Sequence, residues 1–210
     1  MGISRFSAAL AILPALSASL HAQSSLEITS PASGTVVYPG HVVGVTVSAS
    51  GPPLENVTVI GSDPIGFTKI LNAPPYQFDV EIPARITPGQ YRLSAMGTSH
   101  SSPPANFAPI LSEPITIDVE RPDLPVKITA DSRQLGLNVG DRMPIRVYGT
   151  FTDGSVVDMS KSTQTTFVSQ APGIATVTGE GLVTAVAPGS TAIVIARFGS
   201  AGDDHRFERR

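Results

Sequence analysis

Hydrophobic and polar positions alternate with a period of two over most of this chain. Val43, Val45 and Val47 fall on one side of a run whose other side is Gly44, Thr46 and Ser48, and Tyr76, Phe78, Val80 and Ile82 alternate with Gln77, Asp79 and Glu81. An extended backbone sends successive side chains to opposite faces, so each run predicts a strand with one face on a core and one in water. Tyr91, Leu93 and Ala95, and then Ile115, Ile117 and Val119, repeat the pattern. Turn signals separate the runs at Tyr38-Pro39-Gly40, Gly51-Pro52-Pro53, Asp63-Pro64-Ile65-Gly66 and Thr87-Pro88-Gly89. The alternation predicts strands at Leu26–Thr29, Val42–Ser48, Asn56–Ile60, Phe67–Leu71, Tyr76–Ile82, Gln90–Gly97 and Ile115–Glu120. Two packed antiparallel sheets of a small sandwich need about seven.

Arg121-Pro122-Asp123-Leu124-Pro125 marks a boundary, since two prolines in five residues favour a stiff, extended connection. The sequence thus predicts one sandwich over 26–120, a linker over 121–125 that holds the modules end to end, and a second sandwich over 126–198. With few apolar residues in the linker, a solvated junction and independently folding halves are expected. Asp153-Gly154 signals a two-residue hairpin turn between Val147–Thr152 and Ser155–Asp158. From Gln164 to Ala196 the chain repeats one device, a β-rich run, a Gly or Pro turn, and another β-rich run.

The residues of that stretch carry a resemblance. Phe167, Ser169, Ile174-Ala175-Thr176-Val177, Gly181-Leu182-Val183-Thr184-Ala185 and Pro188-Gly189-Ser190-Thr191-Ala192 resemble the bacterial immunoglobulin-like group 2 repeat, with Phe167 where that family usually has Trp. The resemblance implies an immunoglobulin-like (Ig-like) sandwich in an exported surface or adhesion protein of the invasin and intimin type, and it brings no catalytic residue. In the first half, Ile28 to Thr35 is more loosely similar to the start of a bacterial Ig-like repeat. Pro88-Gly89-Gln90-Tyr91-Arg92-Leu93 resembles the tyrosine corner of such folds, with Tyr91 as the corner residue. Phe167 is expected in the core of the second module.

Composition narrows the setting. Nineteen Pro, nineteen Gly and 6% aromatic residues disfavour helix, while 41% hydrophobic residues argue for a folded chain. Residues 1–22 read as a secretory signal peptide, with Arg5 ahead of an apolar run from Phe6 to Leu20 and Ala22 before the expected cut. Without Arg5 the chain has 13 basic against 17 acidic residues, a balance of about −4. That balance, with its basic residues clustered only at Arg206, Arg209 and Arg210 of a polar tail over 199–210, points away from nucleic acid. Zero cysteines exclude disulfides, thiolate metal sites, cysteine nucleophiles and a lipoprotein anchor. After the leader no apolar run is long enough to predict a transmembrane segment.

Candidate chemistry is sparse. His41, His100 and His205 stand alone without metal-ligand spacing, and Asp203-Asp204-His205 lies in the polar tail. No nucleophile elbow, phosphate loop or dinucleotide fingerprint occurs, so no catalytic residue, cofactor or metal site is assigned. Asp79 and Glu81 share one strand face, the one expected in water. Asp118, Glu120 and Asp123 crowd the expected junction, where solvation is the simpler reading. The segment Thr98 to Ser112 is too long for a simple hairpin turn and carries His100, Phe107, Ile110 and Leu111 among Ser and Pro. Two readings of it stand: a ligand-contact loop at one end of the sandwich, or Phe107 and Ile110 folding back on the module's own edge.

Together these features predict an exported, non-enzymatic adhesion, spacer or interaction protein of the bacterial envelope, periplasm or exterior, with a protein or glycan partner at the cell surface. The rival is a carbohydrate-binding accessory protein, which needs exposed aromatics such as Tyr38, Tyr148 and Phe107 to stack sugars.

Overall fold

The computed structural model describes residues 24–99 and 109–197. Residues 1–22, expected to be a signal peptide, the expected polar tail over 199–210, His100 and Phe107 lie outside the described residues. Within them every regular element is a strand and there is no helix, so none is long and apolar enough to cross a membrane.

The first module holds β1 (Ser25–Ser30), β2 (Thr35–Val37), β3 (Val42–Ser50), β4 (Leu54–Gly61), β5 (Gly66–Phe67), β6 (Tyr76–Glu81), β7 (Gly89–Ser99), β8 (Ile110–Leu111) and β9 (Ile115–Val119). One sheet runs β1-β3-β6 and the other β2-β9-β7-β4-β5, with β8 also on β7. All pairs are antiparallel except β2 with β9. The alternation works as expected: along β6, Tyr76, Phe78 and Val80 are buried while Gln77, Asp79 and Glu81 are exposed. Seventeen buried apolar residues fill the space between the sheets, with Val57, Val59, Leu93, Ile117 and Val119 wholly enclosed. At the corner, the Tyr91 hydroxyl donates to the Thr87 carbonyl at 2.8 Å.

The expected strand Phe67–Leu71 is interrupted. Only Gly66 and Phe67 pair with β4, and Leu71 returns as an isolated bridge to Val57. Thr68 is the cause, because its hydroxyl takes the Val59 N–H at 3.0 Å, a position a backbone carbonyl would fill in a continuous ladder. Phe67 is left 74% exposed.

The second module holds β10 (Lys127–Ala130), β11 (Arg142–Pro144), β12 (Val147–Thr150), β13 (Val156–Asp158), β14 (Thr165–Ser169), β15 (Ala175–Val177), β16 (Leu182–Ala185) and β17 (Ile193–Arg197), paired as β10-β12-β13, β11-β16-β15 and β14-β17. Between β11 and β12 the ladder is broken at Ile145 and Arg146: Pro144 has no N–H to give, and the Arg146 N–H bonds the Asp131 carboxylate at 3.2 Å. The Asp153-Gly154 hairpin departs from a two-residue turn. Phe151 N–H bonds the Ser155 carbonyl, so Thr152, Asp153 and Gly154 form a three-residue loop with Gly154 at φ 80. Two packed sheet layers with this strand order are the Ig-like sandwich the sequence predicts.

Phe167 is 8% exposed and shares the core with Ile145, Val147 and Val183. Its ring lies on Gly181, where φ is +81 and an added Cβ would stand 2.9 Å from Cζ and 2.6 Å from the Ile145 carbonyl. Phe167→Ala is expected to destabilise this module by ~3 to 5 kcal/mol, a buried-aromatic truncation. Phe167→Trp, which pushes a larger ring at Gly181, is expected to cost ~1 to 3 kcal/mol by overpacking. Denaturant melts of the intact chain check both, and a negligible midpoint shift for Phe167→Ala would place the ring outside the core.

Candidate functional site

The junction between the modules is bridged by buried hydrogen bonds and an ion pair, which corrects the expectation of a solvated junction. As β9 ends, the Glu120 N–H closes onto the Val37 carbonyl at 3.0 Å, and the side chain leaves the first module and is covered by the second until it is 1% exposed. Its Oε1 accepts from the Thr163 N–H at 2.8 Å and the Thr163 hydroxyl at 2.9 Å, and its Oε2 accepts from the Ser162 hydroxyl at 2.7 Å. Ser162 in turn accepts from Nη1 of Arg197 at 2.8 Å and from the Gln164 N–H at 3.2 Å. One donor and two acceptor sites are all a hydroxyl has, so Ser162 is fully used. Arg197, at the end of β17, brings Nη2 to 3.8 Å from Oε2 of Glu120. Burial lowers the Arg197 pKa from its ordinary value, and the charge of Glu120 opposes that.

Two further contacts fasten the modules. The Arg121 guanidinium lies 4.1 Å above the Phe151 ring and makes a two-pronged bond to Asp123, at 2.9 and 3.0 Å. Those hydrogen bonds hold the Asp123 carboxyl below its usual range. Arg121 also reaches Asp153 at 3.6 Å and Ser155 at 3.4 Å, tying the linker to the β12–β13 hairpin. Across the junction, a Cβ at Gly89 would meet Lys161 at 3.1 Å, so the start of β7 sits directly on the second module. Pro125 packs under Gly149 beside the buried Phe151 and Met159. Asp118 stands apart from Glu120 and Asp123, accepting from Gln90 at 3.0 Å between β7 and β9.

A cleft of about 630 Å³ opens beside this junction, lined by residues that include Asp63, Tyr91, Arg146, Asp158, Lys161 and Glu180. Several of its polar groups are spent on the fold. Tyr91 is tied to Thr87, and the Ser160 hydroxyl donates to Asp158 at 2.6 Å while accepting from the Val147 N–H. Among the described residues no group of three or more His, Asp or Glu is placed to hold a metal ion.

Of the expected contact loop, Ile110 and Leu111 are described. Ile110 is half-buried against the first core and Leu111 is 60% exposed, both on the short strand β8 that pairs with Met96 and Gly97. Ile110 thus folds back on the module's edge, and Leu111 faces water. Buried Ser112 fixes the step from β8 to β9 by accepting the Ala95 N–H at 2.8 Å. Among the described residues the exposed aromatics do not gather: Tyr38 follows β2 at one edge of the larger sheet, packed edge-on to His41, and Phe67 lies on β5 at the opposite edge. Tyr148 is half-buried on β12. The junction partners of Glu120 escaped the sequence reading because Ser162 and Thr163 lie 42 and 43 residues away in a stretch that reads as an ordinary polar turn.

No curated protein matches this chain. Among solved structures, the fibronectin(III)-like modules of CbhA from Clostridium thermocellum are 20% identical, with 45% of this chain and 93% of that chain covered at a TM-score of 0.36. A chimeric titin Z1Z2 carrying an exogenous decorin peptide is 16% identical over 86% of this chain and 93% of its own, TM-score 0.31. The β-glucuronidase 3 of Bacteroides uniformis is 12% identical over 89% of this chain and 25% of its own, TM-score 0.31. Residues 125–196 match the model of the bacterial Ig-like domain (group 2), and the second module is a domain of that family.

Proposed function

We propose that this chain is an exported, non-enzymatic spacer and interaction protein of the bacterial envelope, which holds two Ig-like sandwiches, 26–120 and 126–198, in a fixed relation through the linker 121–125. The observation that carries this reading is the buried Glu120 carboxylate. A flexible tether has no use for a desolvated ion pair, whereas a presenting scaffold gains from one, because hydrogen bonds with set geometry hold one module at one angle to the next. Recognition then falls to loops and sheet edges displayed by the scaffold. Leu111, exposed on β8 and four residues after Phe107 in sequence, is one such display point.

Export is tested by sequencing the N-terminus of the protein recovered outside the cytoplasm. It is expected to start at Gln23, and retention of Met1 in the membrane fraction would contradict the leader. The partner is sought by binding the mature protein to surface proteins and to purified envelope glycans. A glycan-only response would favour a carbohydrate-binding accessory role.

The junction makes its own prediction. Glu120→Ala leaves Arg197 buried beside an unfilled Ser162 and is expected to cost ~3 to 5 kcal/mol, the usual penalty for breaking one side of a buried pair. The double change Glu120→Gln with Arg197→Met, which removes both charges, is expected to recover most of it. Residual dipolar couplings should report one alignment for both modules in the native chain and two in Glu120→Ala. A single alignment in the mutant would show that the carboxylate does not set the geometry. Because residues 126–210 alone lack Glu120, that fragment is expected to melt below the second module of the intact chain.

A further inference from the structure

Short backbone segments from both modules meet at the cleft beside the junction, and each is closed by its own hydrogen bonds. In the first module the Ile65 N–H closes onto the Ser62 carbonyl at 2.9 Å, which sets Asp63 in the turn between β4 and β5. Ser62 is itself clamped to β7, its N–H on the Arg92 carbonyl at 2.9 Å and its hydroxyl accepting the Arg92 N–H at 3.0 Å. In the second module the Ser162 N–H closes onto the Met159 carbonyl around Lys161, and the Gly181 N–H closes onto the Thr178 carbonyl around Glu180, between β15 and β16. Arg146 sits in the ladder break between β11 and β12, where the Asp131 N–H bonds its carbonyl at 2.9 Å and the Asp131 carboxylate takes its own N–H. The backbone thus holds four charged residues in place before any ligand arrives.

All four line the cleft, Asp63 from the first module and Arg146, Lys161 and Glu180 from the second. Charges of both signs are therefore gathered around about 630 Å³, a volume within the ~300 to 1,000 Å³ of small-molecule sites. They do not neutralise one another. No ion pair joins any of the four to another described residue, and among the described residues the side chains of Asp63, Lys161 and Glu180 make no hydrogen bond. Pro64 and Pro88 on one wall and Pro144 on the other add rigid apolar rings.

We propose that this cleft binds a neutral oligosaccharide through Asp63, Arg146, Lys161 and Glu180. A carboxylate only accepts hydrogen bonds and a guanidinium or ammonium only donates them, whereas a sugar hydroxyl does both. Neighbouring hydroxyls on one ring therefore satisfy a carboxylate and a cation that do not touch each other, and the C–H faces of the ring suit the proline surfaces. Charged ligands fit less well. An acidic glycan or a phosphate meets the carboxylates of Asp63, Asp158 and Glu180, and a polyamine or basic peptide meets Arg146 and Lys161. Because each module supplies one wall, the inference rests on the scaffold reading and narrows its partner to a glycan. The Glu120 bonds that set the angle between the modules also set the width of the cleft.

The full 210-residue chain is applied to an array of neutral hexose and N-acetylhexosamine oligosaccharides, with uronic-acid glycans and a peptide library as controls. Saturable binding of a neutral glycan that shifts the amide signals of Asp63, Lys161 and Glu180 is the expected result. Asp63→Asn and Glu180→Gln each remove a charged acceptor that the fold does not use, so each is expected to weaken that binding ~10-fold while leaving the melt unchanged. Glu120→Ala, which lets the walls part, is expected to abolish it. Residual dipolar couplings on the native chain separate the two readings. One alignment with no neutral glycan bound, or with only acidic glycans or peptides bound, would overturn the cleft proposal and leave the scaffold standing. A neutral glycan that binds undiminished to Asp63→Asn and Glu180→Gln would do the same. Two alignments in the native chain would remove the scaffold and the cleft together.

Discussion

A carboxylate taken out of water at the meeting of two domains has to be answered by donors in fixed places, and that requirement orders this molecule. Glu120 is answered by one backbone N–H and two hydroxyls from a single turn, Ser162 and Thr163, with Arg197 behind them. Desolvating a charged pair costs several kcal/mol per ion before any attraction is counted, so such a pair is weak support for stability as such. What it does supply is direction. Hydrophobic contact between two sandwiches would allow sliding, whereas four short hydrogen bonds to or beside one carboxylate leave little freedom of rotation.

The strands were legible wherever one face is buried and the other wet, because alternation is a property of the local sequence. β6 and β7 show it plainly. So was the Tyr91 corner, whose acceptor is four residues upstream, and so was the packing role of Phe167. The reading failed where a side chain replaced a backbone partner. Thr68 reads as a good strand residue, and its hydroxyl occupies the ladder position that would have continued β5. Short strands set by their partners, β2 and β8, left no pattern long enough to detect.

The candidate site was the least legible part, for the same physical reason. Glu120, Ser162 and Arg197 are unremarkable polar residues until the fold brings them together over separations of 42 and 35 residues. A linker with two prolines reads as stiff but bare, and Arg121 stacked on Phe151 shows that it is dressed by the hairpin it meets. The loop carrying Ile110 and Leu111 split along the lines of burial, one residue serving the core and its neighbour facing water.

The unequal cores bring these threads together. The first module has seventeen buried apolar residues in its core, while the core cluster of the second has four and leaves Ile193 and Ile195 half-covered on a strand that ends in Arg197. Among the described residues β17 is held from one end by the junction and from one side by β14. A strand is stabilised by whatever fixes its ends, and Arg197 does so through Ser162 to Glu120 of the neighbouring module. The buried carboxylate thus does more than set an angle between domains. It ties the last described strand of the less well-packed module to the end of β9 in the better-packed one.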